Sequence, residues 1–236
     1  TPLYSSAASD VYKRQLYAAN EQKINTRLSL QYGLRYSNWQ YVGSGKEYIF
    51  NDTVSGARRT LLDTRSYGRG EIIRTFGNLE PRFSAKYEIN ENSSLKASYN
   101  RTAQYIHLIS NSVASTPLDI YAPSSNNIKP QLADQVAIGY FRNFANNTFE
   151  ASVEGYYKTL QNQLEYVSNA DLLLNEQFEG DLIKGKGRAY GLEFFVKKNS
   201  GKLTGFISYT LSRSERLFEG LNKNDWYPTR FDKTHI

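Results

Sequence analysis

Alternation of apolar and polar side chains across residues 185–213 restricts the fold of this chain more than any other feature. Because successive side chains of a β-strand point to opposite faces, the stretch predicts two strands with one apolar face each. The residues of that face are Tyr190, Leu192, Phe194 and Val196 in the first strand and Leu203, Ile207, Tyr209 and Leu211 in the second. Residues 199–201, Asn-Ser-Gly, are suited to a tight turn between them. The sequence therefore predicts a two-faced antiparallel hairpin.

Six further segments repeat the two-faced pattern. They are residues 16–22, 27–39, 79–89, 93–105, 132–142 and 148–158. Along the chain, the connections between these roughly eight strands alternate between short and long. The long connections are residues 41–76, 106–130, 159–185 and a final loop at 214–230, with a small hairpin expected at 47–53.

The order of the connections indicates the architecture. In an antiparallel sheet, alternation of short and long connections places every short turn at one end of the strands and every long loop at the other end. Outer-membrane barrels have this arrangement, with short periplasmic turns and long extracellular loops. The connections of soluble β-sandwiches do not sort by length in this way, and their strands are shorter. We therefore predict an all-β antiparallel meander that forms part of a transmembrane outer-membrane β-barrel.

The composition fits this class. The 236 residues include 19 Tyr and 12 Phe, while the mean hydropathy is only −0.61. Tyrosine favours places with one apolar and one wet side, such as membrane interfaces. A barrel is polar in its lumen and loops, so low hydropathy does not exclude it. The sequence has no apolar run long enough for a transmembrane helix, and the absence of cysteine excludes disulfides and thiolate chemistry.

Charged residues share one face of the segment at residues 79–89. They are Glu80, Arg82, Lys86 and Glu88. Such a row needs water, which a wide lumen supplies and a packed sandwich core does not. We expect these side chains to form ion pairs across strands.

The first fifteen residues stand apart from the alternating pattern. Residues 1–15 resemble a translated sequencing adapter and contain no signal-peptide pattern. We therefore expect two parts: an adapter-derived segment at 1–15 and a partial barrel domain at 16–236.

Several short motifs in fixed order carry a family resemblance. They are YGLRY at 32–36, LEPR at 79–82, LKASYNR at 95–101, IKPQ at 128–131, EGYYK at 154–158, GKGRAYGLE at 185–193, SYTLS at 208–212 and RFDKTH at 230–235. In these motifs the chain resembles the barrel domain of Bacteroidota TonB-dependent outer-membrane receptors. The resemblance implies a 22-stranded barrel around an N-terminal plug, in the outer membrane of a Gram-negative bacterium and in contact with its lipids.

The same resemblance implies a function. Receptors of this family take up siderophores, cobalamin or oligosaccharides, with energy from the TonB–ExbB–ExbD complex. The chain departs from the family pattern because it lacks the plug, the TonB box and the last strands. We expect a fragment that cannot transport alone, and a binder and transporter rather than an enzyme.

Catalytic and metal-binding patterns are weak. The glycine-rich run at residues 185–188 is followed by a β pattern instead of the helix that a phosphate loop needs, so we expect only a flexible start of a strand. His107 and His235 have no second ligand at metal spacing, and no nucleophile–base set is present. We expect no enzymatic activity, no cofactor, no metal and no nucleic-acid partner.

Aromatic and polar residues at strand ends and in the long loops are the candidate ligand site. They are Arg101, Gln104, Tyr105, His107, Tyr121, Trp226 and Tyr227. Ligand sites combine aromatic walls with a few polar groups, which this set supplies on the extracellular side. Packing of the loops against one another is the alternative role. Two other functions stay open from sequence: a passive porin or adhesin barrel, and a secreted glycan-binding β-sandwich.

Overall fold

The computed structural model describes residues 10–51, 56–109, 119–168, 170, 175–230 and 232. These residues form strands and two short 3-10 helices. The strands are β1 (Asp10–Lys23), β2 (Leu28–Val42), β3 (Gly45–Phe50), β4 (Leu61–Tyr67), β5 (Ile72–Asn90), β6 (Ser93–Gln104), β7 (Ile106–Ile109), β8 (Ile120–Pro123), β9 (Gln131–Phe144), β10 (Phe149–Tyr166), β11 (Leu182–Lys198), β12 (Gly205–Phe218) and β13 (Tyr227–Pro228). The helices are Phe178–Asp181 and Asn222–Asn224.

One nine-stranded sheet in the order β1-β2-β5-β6-β9-β10-β11-β12-β13 dominates the fold. All its neighbours pair antiparallel, which confirms the predicted meander. The pairs β3–β4 and β7–β8 are separate two-stranded sheets inside two of the long connections. β1 and β13 lie at the two ends of the large sheet, so these strands form an open part of a barrel wall.

The connections at the two ends of the strands differ in length, as predicted. Short turns join β1 to β2, β5 to β6, β9 to β10 and β11 to β12, and we call this side of the sheet the turn end. The long connections all lie at the opposite ends of the strands, which we call the loop end. Within the described residues, no helix is long and apolar enough to cross a membrane.

Several strands extend further towards the loop end than predicted. β10 continues to Tyr166 and β11 begins at Leu182, so the expected 159–185 loop is reduced to the residues between them. The run 185–188 lies inside β11, and the prediction of a flexible strand start was wrong. Gly185 and Gly187 fit there because a Cβ would lie within 3.0 Å of Phe218 and Leu160, respectively.

The small hairpin was also misplaced. β3 covers much of the expected 47–53 segment, but its partner is β4, which begins at Leu61. Residues 52–55 lie outside the described residues. At the other end of the chain, β1 begins at Asp10 and pairs with β2 as far as Val42. Residues 10–15 thus form part of the sheet, while their origin as an adapter stays a prediction.

The sheet has one apolar face and one polar face. The apolar face carries Phe83, Val153 and Leu192, which are 44%, 43% and 45% exposed. The polar face carries Glu80 and Trp39. Among the described residues no second sheet packs on the apolar face, so the β-sandwich alternative is wrong in architecture.

Buried residues gather at the loop end. One cluster contains Ile109, Ala122, Ile128, Tyr166 and Leu182. A second contains Trp39, Ala103 and Tyr105. The protein core therefore lies among the long connections and not in the long two-faced part of the sheet.

Candidate functional site

Large side chains, all aromatic except Val136, form a row across the apolar face, which we call the tyrosine row. In register on neighbouring strands are Phe83, Tyr99, Val136, Tyr157 and Tyr190. The rings of Tyr157 and Tyr190 stack with centroids 6.1 Å apart. Towards the turn end, Phe144 pairs with Phe149 and marks a second aromatic position.

The spacing of these aromatics matches a membrane. Tyr157 and Phe149 are eight residues apart on β10. At a rise of about 3.4 Å per residue and a tilt of about 40°, they are roughly 20 Å apart along a barrel axis. Aromatic girdles bound an apolar band of about 25 Å in outer-membrane barrels. The aromatic positions on the apolar face are thus separated by slightly less than the height of such a band.

Charged residues follow directly beyond the tyrosine row. The next residues in register are Arg101, Asp134, Thr159, Arg188 and Glu215. Arg101 donates two hydrogen bonds to Asp134, at 2.7 and 3.0 Å, and Arg188 contacts Glu215 at 2.7 Å. Ion pairs at this level need water or headgroups, so the row marks one boundary of the apolar band.

Arg101 therefore lies away from the other predicted site residues. It is on the apolar side of β6, between Asp134 and the tyrosine row. The remaining six residues occupy two places at the loop end: Gln104, Tyr105, His107 and Tyr121 near the β7–β8 hairpin, and Trp226 and Tyr227 near β13. In the described part of the chain these seven residues do not line one common pocket, and their ligand-binding role stays a prediction.

Tyr105 is buried at the junction of sheet and loops. It is 3% exposed and stacks on Trp39, with ring centroids 5.3 Å apart and planes 11° from parallel. Its hydroxyl lies 2.7 Å from Ser37 Oγ and accepts a hydrogen bond from Asn78 Nδ2 at 2.8 Å. These contacts fix the start of the β7–β8 hairpin against the polar face of the sheet.

Glu80 is the charged centre of this junction and is fully buried. Its carboxylate accepts hydrogen bonds from the Arg35 guanidinium, from Ser37 Oγ at 2.7 Å and from the Ala103 backbone N–H at 3.3 Å. The Arg35 pair joins β2 to β5, as the predicted cross-strand ion pairs require. Lys86, in contrast, pairs at 2.7 Å with Glu88 on its own strand.

His107 lies on the inner side of the β7–β8 hairpin and is 1% exposed. Its Nε2 is 3.0 Å from Ser124 Oγ, and the backbone carbonyl of Ser124 accepts a hydrogen bond from Trp39 Nε1. Nδ1 has no hydrogen-bond partner among the described residues. Burial lowers the pKa of His107 to about 4, so the imidazole is neutral at physiological pH.

The opposite side of the β7–β8 hairpin is exposed and apolar. Leu108 and Tyr121 are paired across it and are 52% and 72% exposed. Gln104 is also exposed, and its side-chain amide donates to the Ile106 carbonyl at 2.8 Å. Because the buried side packs on the polar face of the sheet, the exposed side faces away from the wall.

The long connections are joined to one another by partly buried polar contacts. Glu179 accepts hydrogen bonds from Ser125 Oγ at 2.7 Å and Asn127 Nδ2 at 2.6 Å, and its backbone carbonyl accepts one from Arg59. Burial raises the pKa of Glu179, and the Ser125 and Asn127 hydrogen bonds oppose that shift. Asn126 donates to Glu47 in the β3–β4 hairpin. Three connections thereby form one folded cap.

Trp226 and Tyr227 lie on opposite sides of the β12–β13 edge. The Arg188 guanidinium is 4.2 Å from the Trp226 ring. Tyr227 is in register with Arg216 and lines a cavity with Arg230 and Glu165. Sequence reasoning missed Arg216 because it ended this strand at residue 213. Extension of the alternation would have placed Arg216 on the polar face.

No group of three or more His, Cys, Asp or Glu side chains in the described part of the chain is arranged to hold a metal ion. The arrangement consists of an apolar face, a polar face and a folded cap at one edge. Together these define a segment of β-barrel wall with a folded cap on its loop end. A family model for the β-barrel of TonB-dependent receptor-like proteins matches residues 1–232, and the chain belongs to this family.

Solved structures share the fold. The FrpB iron transporter of Neisseria meningitidis (F3-3 variant) is 17% identical with a TM-score of 0.60, and 92% of this chain covers 27% of that protein. The ferric-catecholate import receptor Fiu of E. coli K12 is 16% identical with a TM-score of 0.56, and 88% of this chain covers 28% of it.

The copper transporter OprC is 12% identical with a TM-score of 0.52, and 90% of this chain covers 33% of it. The chain thus spans about a third of these proteins or less. No curated protein sequence matches the chain. Family and structural neighbours are receptors and transporters, not enzymes.

Proposed function

We propose that this chain forms part of the outer-membrane wall of a TonB-dependent receptor in a Gram-negative bacterium, with lipids on its apolar face. The observation that carries the proposal is the apolar band between the Tyr157–Tyr190 row and Phe149. Its side chains are close to half-exposed in the protein, and lipid contact is the environment that suits them. The motifs at residues 32–36 and 230–235 support a Bacteroidota source.

We further propose that the whole receptor imports a scarce ligand, a siderophore, cobalamin or an oligosaccharide. Family membership supports energised import through the TonB–ExbB–ExbD complex, which would act on the N-terminal region of the receptor. The names of the similar structures, which transport iron, a ferric catecholate and copper, support a scarce nutrient as cargo. In this role the cap meets the ligand first, and Tyr121 and Gln104 are its exposed contacts.

The position of the wall can be tested by single cysteines, since the chain has none of its own. Leu192→Cys lies on the apolar face and Glu193→Cys is its neighbour on the polar face. In proteoliposomes, we expect a lipid-soluble maleimide to label Leu192→Cys and a water-soluble maleimide to label Glu193→Cys. Equal labelling of both by the water-soluble reagent would contradict a lipid-facing wall.

Import can be tested by deletion of the receptor gene in its host. We expect loss of uptake of one radiolabelled class among iron chelates, cobalamin and oligosaccharides. Uptake by the wild type should also stop when an uncoupler removes the proton-motive force. Uptake that persists with the uncoupler would support the passive porin instead.

A further inference from the structure

Two basic residues lie on the apolar face close to the turn end. Arg142 is two residues before Phe144 on β9, and Lys198 is the last residue of β11, in register with Phe149 of β10. Phe149 is also in register with Phe144, so the two cations flank a pair of aromatic side chains. Each of the three strands pairs with a neighbour on both sides, which places the two cations within the continuous part of the sheet.

Both charged groups are directed towards the turn end. Arg142 Cζ is 4.9 Å from the centroid of the Phe144 ring, and Lys198 Nζ is 5.7 Å from that of Phe149. Phe144 is nearer the turn end than Arg142, so the arginine side chain leads out of the apolar band. Lys198 Nζ is 3.6 Å from the place that a Cβ on Gly201 would occupy, in the β11–β12 turn. Long basic side chains take this course at a membrane boundary, where the stem stays in the apolar layer and the charge reaches the headgroups.

The two boundaries of the apolar band differ in charge. At the loop end the arginines are paired with carboxylates, as Arg101 is with Asp134 at 2.7 Å. At the turn end neither Arg142 nor Lys198 has a carboxylate within ion-pair distance among the described residues. The loop-end boundary is therefore close to neutral, whereas the turn-end boundary carries two positive charges that the wall does not balance.

The acidic residues near the turn end do not change this balance. Glu150 lies on the polar face of β10, where it is in register with Lys197. Glu91 lies in the β5–β6 turn and makes no ion pair with Arg142 in the described structure. The β9–β10 turn contains no acidic residue, and the β11–β12 turn adds a further cation, Lys202. The apolar face thus carries net positive charge at the level where the headgroups of a bilayer lie.

The arrangement suits a phosphate group that is attached to acyl chains. A guanidinium binds a phosphate through a fork of two N–H groups, and an ammonium binds it as a point charge. β9 and β11 are about 10 Å apart at the usual strand spacing, so Arg142 and Lys198 can approach one headgroup from two sides. Phe144 and Phe149 are 43% and 38% exposed and offer apolar contact beside that position.

We propose that Arg142 and Lys198 bind the phosphate of an anionic glycerophospholipid, whose acyl chains lie along the apolar face. The inference rests on the proposed function and adds a lipid class to it. Because short turns lie on the periplasmic side of outer-membrane barrels, this is the leaflet that consists of glycerophospholipids. A net negative headgroup balances the two cations, whereas a zwitterionic headgroup brings its own positive charge.

Lipid preference can be measured on the full chain in micelles of an uncharged detergent. The micelles contain equal amounts of phosphatidylglycerol and phosphatidylcholine with the same acyl chains, and native mass spectrometry counts the lipids that stay bound. We expect phosphatidylglycerol to exceed phosphatidylcholine by about twentyfold, with a factor of about five from each cation. Arg142→Gln and Lys198→Gln should each lower the preference by about that factor, and the double variant should show none. Arg142→Lys keeps the charge but loses the fork, so its loss should be smaller than that of Arg142→Gln.

Lys197→Gln is the matched control. It removes the same charge from the neighbouring residue of the same strand, but on the polar face, and should leave the preference unchanged. An equal loss in Lys197→Gln and Lys198→Gln would overturn the site, because diffuse attraction of lipid to a basic protein would then explain the preference. The proposal also fails if the wild type shows no preference or if the double variant keeps it.

Inorganic phosphate in large excess distinguishes a lipid site from a site for the free anion. It should not displace phosphatidylglycerol, because the acyl chains add their own contact with the apolar face. Displacement by inorganic phosphate would contradict the proposal. Failure of the lipid site is distinguishable from failure of the wall, which the labelling of Leu192→Cys tests separately. Labelling of Leu192→Cys by the lipid-soluble reagent together with no lipid preference would refute only the site at Arg142 and Lys198.

Discussion

The wall and the cap of this protein use the same residue types in opposite ways. In the wall, Leu192 and Phe83 are 45% and 44% exposed, and their neighbours on the apolar face are similar. In the cap, Phe50 and Ile128 are 9% and 0% exposed. The apolar side chains of the cap are buried against one another, whereas those of the wall are exposed to the surrounding medium. One chain therefore contains a buried core at its loop end and an apolar sheet face that its own described residues leave uncovered.

Removal of detergent is expected to have the largest effect on this comparison. The chain should be monodisperse in micelles and should aggregate in buffer, because the wall then exposes a broad apolar face and two open edges. Light scattering with far-UV circular dichroism measures both outcomes. A monodisperse chain that unfolds cooperatively in buffer would show that the wall carries a core of its own.

Loss of the buried carboxylate at the junction should be the largest effect of a single substitution. Glu80→Ala leaves the Arg35 guanidinium and the Ala103 N–H without their acceptor, at a cost of about 3–5 kcal/mol. Chemical unfolding in micelles measures the change. Glu88→Ala is the control, because the Glu88 side chain is 47% exposed and pairs with Lys86 on its own strand. Similar losses of unfolding free energy for both variants would contradict the central role of Glu80 in stabilising the junction.

A charge in the wall should cost less, and only on one face. Phe194→Lys places an ammonium group at the middle of the apolar band, halfway between Tyr190 and the residue that pairs with Phe149, and a lysine near the bilayer midplane destabilises barrels by about 2–4 kcal/mol. Thr210→Lys is the matched control, since it lies on the polar face beside Glu193. The free energy of unfolding of the two variants in lipid vesicles, measured with urea, should differ by about this amount. Equal effects of the two lysines would contradict the assignment of the faces.

The sequence predicted the wall far better than the cap. Alternation at residues such as Leu192 and Val153 reports directly which face a side chain occupies, because the period of a strand is two. The loop end has no such period, so the extension of β10 to Tyr166 and the pairing of β3 with β4 were not predictable from it. Tyr105 and His107 were predicted as ligand-site residues, and that role stays a prediction. Their burial depends on contacts with Ser37 and Ser124, which are distant in sequence.

The cap should respond to pH through His107. The ordinary histidine pKa of 6.5 applies to the unfolded chain, and burial lowers the pKa in the folded cap to about 4. The unfolded state therefore binds the proton first, and stability falls as the pH drops from 6.5 towards 4. Between pH 7 and 5 the loss is about 2 kcal/mol, at 1.36 kcal/mol per pKa unit. In His107→Gln this loss should disappear, with chemical unfolding at each pH, followed by tryptophan fluorescence, as the measurement. An unchanged pH dependence in the variant would assign the effect to other groups.

The smallest expected effect tests the turn end, where local backbone geometry decides the outcome instead of packing. Gly201 has a φ of 108°, which L-residues rarely adopt, so Gly201→Ala should destabilise the β11–β12 turn by roughly 1 kcal/mol. Space is not the cause, because the added Cβ would be 3.5 Å from Lys198 Cε, an ordinary contact. Gly205→Ala is the matched control, since nothing lies within 4 Å of its added Cβ, and it should be neutral or slightly stabilising. If the two variants unfold at the same denaturant concentration, the turn adapts to its sequence and the positive φ does not constrain it.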